Sequence, residues 1–135
     1  MKLEELQVEL ENDMIIDGTK LQYEASQIPV IWSKWLRHHS NVKKKLIQLE
    51  AKRKQTIRER MEYYTGRGDQ ICETVYERSE LKIVISGDNS VVEIDKLIQY
   101  FEMLAEFTGK SLDIIKTKGF SIKNMIEIRN LESGK

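Results

Sequence analysis

Several things are scarce in this sequence, and each scarcity removes a class of answer. There is one cysteine, Cys72, so the chain can build neither an internal disulfide nor a thiolate metal cage, and a reducing cytoplasm is its natural setting. Proline occurs once, at Pro29, and only seven residues are glycine, which favours helices over a loop-rich scaffold. No stretch approaches the roughly 18 apolar residues of a membrane-spanning helix. The acidic opening MKLEELQVELEND has no apolar leader core, so neither export nor membrane insertion is expected. Catalytic constellations are missing as well. His38 and His39 are adjacent, so on a helix they point about 100° apart and cannot clasp one metal from one face. No phosphate-cradling glycine loop occurs, and Gly66, Arg67 and Gly68 lack the spacing of a dinucleotide fingerprint. Cys72 has no evident base beside it, and the Arg67-Gly68-Asp69 tripeptide has no role in a chain that is not exported. The expectation is a non-enzymatic protein with no cofactor and no metal site.

Positive charge is abundant in one place only. Between Arg37 and Arg67 lie ten of the 22 basic residues and three acids, a local excess of +7 that the remainder of a neutral chain balances at −7. The cations are Lys43, Lys44, Lys45, Lys52, Arg53, Lys54, Arg58, Arg60 and Arg67, together with Arg37, and Tyr63 and Tyr64 lie beside the last of them. Such an asymmetry points to a polyanion, and aromatic rings at the end of a basic helix add stacking surface for unpaired bases. A solvated surface helix with no partner is the plainer alternative.

Apolar spacing predicts a mainly α fold. Leu3, Leu6 and Leu10 mark a short first helix, and Thr19 with Gln22 forms a capping-box pattern for a second that runs to about His39. Pro29 falls inside it and is expected to kink or restart it. Ser40 reads as the N-cap of a third helix ending near Thr65 with Gly66 as terminator, giving an antiparallel helical hairpin. The stripe Val42, Leu46, Leu49, Ile57, Met61 and Tyr64 contains two intruders, Arg53 and Arg60. They either snorkel along the core edge or face a ligand or a neighbouring subunit. Residues 67–89 form a junction in which 70–78 is a loop or short strand and 79–86 is two helical turns or an edge strand. Ser90 and Glu93 open the most apolar helix, Gly119 ends it, and Phe120 to Leu131 forms a closing helix. The chain is thus expected to be one domain, with N-terminal helices over 1–66, the junction over 67–89 and C-terminal helices over 90–135. The last region carries more apolar face than one hairpin covers, so Phe101, Leu104, Leu112, Ile115, Met125 and Ile126 are either core or a subunit interface.

The segments KLEELQVELENDMIIDGTKLQYEAS, SKWLRHHSNVKKKLIQLEAKRK, ERMEYYTGRGD and DIIKTKGFSIKNMIEIRNLESGK together resemble the UvsY family, the recombination mediators of T4-type bacteriophages. The resemblance spans nearly the whole chain. It implies a ring-like homo-oligomer of six or seven subunits in the host cytoplasm. Such a ring binds single-stranded DNA and loads a UvsX-like phage recombinase onto DNA covered by the phage single-strand-binding protein. The family's basic determinant maps onto Arg58 and Arg60, and its self-assembling segment onto about Ile94 to Leu131. Without the resemblance, an adaptor whose basic face meets an acidic protein competes with the DNA reading.

Overall fold

The computed structural model describes residues 1–134 and is mainly α, with four helices: α1 (Leu3–Asp13), α2 (Leu21–Tyr64), α3 (Arg78–Ser86) and α4 (Asn89–Glu132). No strand occurs among the described residues, so the short strand considered over 70–86 is absent: 70–77 is irregular and 79–86 lies in a helix.

Two expected helix breaks do not occur. Ser40 is an exposed residue inside α2, a single helix of 44 residues, and there is no hairpin turn. The reason lies in the period: Leu21, Ile28, Trp35, Val42 and Leu49 fall seven apart, so the apolar seam passes Ser40 without a change of phase, and a cap has no helix end to serve. Pro29 is accommodated inside the same helix. Gly119 likewise lies within α4 instead of ending it, because the buried positions Ile115, Lys118 and Ile122 continue through it at spacings of three and four. The capping assignments shift too. Asp17, not a Thr19–Gln22 box, organises the approach to α2, accepting from the Thr19 backbone N–H at 2.9 Å and the Thr19 hydroxyl at 2.6 Å. At α4 the cap is Asp88, whose Oδ1 accepts from the Ser90 backbone N–H at 2.9 Å. Gly66 does terminate α2 as expected, with φ of 77°.

The chain gathers into two compact units, residues 1–41 with 104–135 and residues 42–103, so α2 and α4 contribute to both. In the first, α1 buries Leu6 and Leu10, while Trp35 is wholly enclosed and its indole N–H donates to Asp13 at 2.8 Å. His38 meets Glu9 of α1 at 2.6 Å, and His39 Nδ1 meets the Thr108 hydroxyl of α4 at 2.8 Å. Gly109 packs beside that contact, and a Cβ there would stand 3.4 Å from the His39 ring, at the edge of ordinary contact. In the second unit, Val42, Leu46 and Leu49 of α2, Ile85 of α3, and Val91, Ile94 and Ile98 of α4 make up the buried apolar set. Arg53 pairs with Asp95, and Arg60 with Asp88. Rising numbers on α2 thus meet falling numbers on α4, and within this unit the two helices run antiparallel.

Candidate nucleic-acid interface

All of the basic residues singled out from Lys43 to Arg67 fall in the second unit, and all but Arg67 lie on α2. At about 100° per residue, Lys43, Lys54 and Arg58 line one flank of the helix. Lys45, Lys52 and Tyr63 line another, roughly 165° round, with Lys44 between. Every one of these lysines is exposed, as are Arg58 and Arg67. The result is a broad band along the solvent side of the helix. Lys45 and Arg58 stand about 20 Å apart along it, at 1.5 Å per residue.

Arg53 and Arg60 are placed differently, and the reason they interrupt the apolar stripe is now visible. Arg53 Nε donates to Asp95 Oδ1 at 2.5 Å, and Arg60 Nε donates to Asp88 Oδ2 at 2.8 Å. Both side chains stay partly open, 41% exposed for Arg53 and 28% for Arg60. They are ion-paired across to the N-terminal part of α4. The Tyr64 hydroxyl donates to the same Asp88 oxygen at 2.6 Å. Asp88 is buried, and burial by itself would raise its carboxyl. The hydrogen bonds from Tyr64, Arg60 and the Ser90 N–H outweigh that and hold it below the usual carboxylate value. Tyr64 is raised in turn, chiefly because its hydroxyl proton is held by Asp88. The Arg60 guanidinium also lies over the Tyr63 ring, 4.4 Å from its centroid, a cation–π distance. One face of Tyr63 is therefore taken by Arg60, and the ring packs edge-on to Tyr64 with centroids 5.0 Å apart.

Arg53, Arg58 and Arg67 come together with two cations that the basic stretch does not contain, Arg78 and Lys82 of α3. All five line a cavity of about 850 Å³. Its floor includes Ile57, Met61, Leu81, Ile85 and Val91, and Glu62 is its single carboxylate among the described residues. The signal for the added pair was present, because Arg78 and Lys82 are four apart, as are Leu81 and Ile85. It is legible only once 78–86 is known to be helical.

The apolar positions assigned to self-association separate into two groups. Leu104 and Ile115 are fully buried within the chain, so of the two alternatives they fall to the core and cannot form a subunit interface. Phe101, Leu112 and Met125 are half-buried, and Ile126 is exposed. The larger exposed apolar side chains towards the end of α4 are Phe120, Ile128 and Leu131, with 66%, 53% and 73% of their surface open.

Relatives of known identity are similar to this chain in sequence and in fold. The chain is 44% identical, over the full length of both proteins, to the "Recombination protein uvsY" of Enterobacteria phage T4. It superposes on crystal structures of the bacteriophage T4 recombination mediator protein UvsY. One lattice form gives a TM-score of 0.86 at 43% identity, with 98% of each chain covered. Another gives 0.88 at 42% identity, covering 97% of this chain and 99% of that one. The family profile described as "Recombination, repair and ssDNA binding protein UvsY" matches residues 9–135. With nearly the whole sequence and both long helices accounted for by these matches, the chain belongs to the UvsY family.

Proposed function

We propose that this protein is a recombination mediator of a T4-type phage, acting without bond chemistry in the host cytoplasm. It binds single-stranded DNA along the exposed band of α2 and promotes loading of a UvsX-like recombinase onto DNA covered by single-strand-binding protein. The observation that carries this reading is the band itself. Lys43, Lys44, Lys45, Lys52, Lys54, Arg58 and Arg67 are exposed and have no ion-pair partner among the described residues, in a chain whose family is described as binding single-stranded DNA. The band supplies phosphate contacts, with Tyr63 as the stacking ring. Arg53 and Arg60, already ion-paired, contribute field and position more than direct contact. Arg78 and Lys82 are not part of this strand path.

A single band of surface cations grips DNA weakly at physiological salt. A ring-like homo-oligomer of six or seven copies repeats the band along one strand and converts weak contacts into avidity. A strand so held is bound in competition with the single-strand-binding protein. Differential affinity alone then shifts the DNA towards the state that the recombinase accepts.

The direct test is a loading assay. Recombinase filament growth on a single strand pre-covered with single-strand-binding protein is followed with and without this protein, at a salt concentration where the recombinase alone stalls. Acceleration is expected, and it should vanish when Lys52, Lys54 and Arg58 are all replaced by alanine. Equal filament growth with and without the protein defeats the mediator reading. Equal acceleration by the triple variant defeats the band.

A further inference from the structure

The cavity in the second unit has a chemistry that the strand path does not explain. Its floor, formed by Ile57, Met61, Leu81, Ile85 and Val91, is aliphatic, and no aromatic side chain lines it. Unpaired bases gain most from a π face to stack on, and the rings that offer one, Tyr63, Tyr64 and Tyr76, cluster outside the lining. An aliphatic floor instead matches leucine, isoleucine or methionine side chains. Above it stand Arg58, Arg67, Arg78 and Lys82, none ion-paired among the described residues. Guanidinium groups are the best available partners for carboxylates, which they grip with two parallel hydrogen bonds. At about 850 Å³ the space is in the size range of cavities that enclose several groups of a ligand.

We propose that this groove is a docking site for an acidic peptide segment of another protein, one that places aliphatic side chains on the floor and carboxylates against the rim. The mode is that of an amphipathic segment laid into an apolar groove, with its carboxylates read by arginines. The chain's own acidic and aliphatic segment, LEELQVELEND, is not the occupant, because its Leu6 and Leu10 are already buried within the first unit. Arg58 and Arg67 belong both to this rim and to the proposed strand path, so a docked acidic peptide and a bound strand compete for them. The competition rests on the strand reading above, and the docking does not.

The probe is a fluorescein-labelled synthetic 14-residue peptide with leucines at helical i, i+4, i+7 spacing and glutamates at most other positions, read by anisotropy against the full-length protein. A companion peptide carries serine in place of each leucine, and an oligo-dT strand of about 20 nucleotides is titrated in parallel. The leucine peptide is expected to bind at least tenfold more tightly than the serine peptide. Arg78→Ala with Lys82→Ala, both exposed positions on α3, should weaken the leucine peptide at least tenfold and leave oligo-dT affinity within about threefold. Equal binding of the two peptides overturns the proposal, since it makes the rim an unselective cationic surface. So does an equal loss of oligo-dT and peptide in the α3 variant, which makes the groove part of the strand's path. Peptide binding that oligo-dT does not displace keeps the docking site and removes Arg58 and Arg67 from the strand path.

Discussion

Arg58 and Arg60 are two residues apart on one helix and meet opposite fates. Arg58 is exposed with no carboxylate paired to it among the described residues, while Arg60 is held by Asp88 and laid over Tyr63. Their substitutions should differ in kind. Arg58→Ala removes a phosphate contact and is expected to flatten the salt dependence of single-strand binding by about 0.7 in log–log slope. Arg60→Ala frees Tyr63 and leaves Asp88 buried with fewer donors. It should lower affinity with little change of slope, because stacking is much less salt-sensitive than a phosphate contact. Titrations at four salt concentrations decide it, and equal slope changes for the two variants refute the division of roles. Asp88 has its own signature. Its carboxyl is lowered from the ordinary 3.8, so its contribution to stability is fully present above that value and is lost as pH falls through the lower value of the folded state. Asp88→Asn should cost about 2–3 kcal/mol at pH 7, from weakened charge-assisted hydrogen bonds and a poorer anchor for Arg60. The variant should also lose less stability on acidification than the parent. Urea midpoints at pH 7 and pH 3 measure both effects, and parallel acid losses would show that Asp88 is not a titrating anchor.

The two long helices set the second scale. If Ser40 capped a helix, Ser40→Ala would cost about 1 kcal/mol. As an exposed interior residue of α2 it should be neutral or stabilising by a few tenths of a kcal/mol, since alanine is the better helix former. Gly119→Ala argues the same point on α4. A Cβ there meets Ile28 at 3.8 Å, ordinary contact, so the substitution should stabilise by about 0.5–1 kcal/mol. Thermal unfolding of both variants checks this, and a destabilised Ser40→Ala would restore a break in α2. The sequence made the helices, the α2 terminator Gly66 and the exposed cations legible because each depends on local spacing and local sterics. What it obscured depends on partners far along the chain. Arg53 and Arg60 are anomalous in the sequence because their partners, Asp95 and Asp88, lie 42 and 28 positions away, and the local Ser90–Glu93 pattern masks Asp88 as the cap. Ser40 and Gly119 misled for the converse reason. Their local preference for helix ends is worth at most about 1 kcal/mol, and a seam with a seven-residue period on both sides outweighs it.

For the whole molecule, the open question of assembly turns on apolar surface that the monomer leaves uncovered. With Leu104 and Ile115 withdrawn into the core, Phe120 and Leu131 are the side chains of the α4 terminus with most to gain from a neighbouring subunit. Phe120→Ser with Leu131→Ser is expected to yield smaller species in light scattering. Their affinity for a long single strand should be reduced roughly 10²-fold by the loss of linked sites, although the substitutions alter no charge. Helical content should persist, because neither side chain is buried. A variant that keeps the parental mass places the interface elsewhere, and one that dissociates yet binds as tightly shows that avidity is not the source of affinity.

One feature of α4 bears on how a single alignment is chosen among many. In the first unit its buried seam holds Thr108, Ser111 and Lys118 where aliphatic residues would be expected. The Lys118 ammonium donates to the Asp13 carbonyl at 2.7 Å and lies 3.6 Å from Glu24, and Thr108 meets His39. Helices with a seven-residue apolar repeat offer near-degenerate alternatives, because sliding one past the other by seven positions restores most of the aliphatic contacts. The polar contacts are not restored by such a slide. It would strand a buried ammonium without its carboxylate, a penalty of about 3–5 kcal/mol. Lys118 and Thr108 therefore act as indexing pins: what they give up in hydrophobic burial, they return as an energy gap between the one native register and its neighbours.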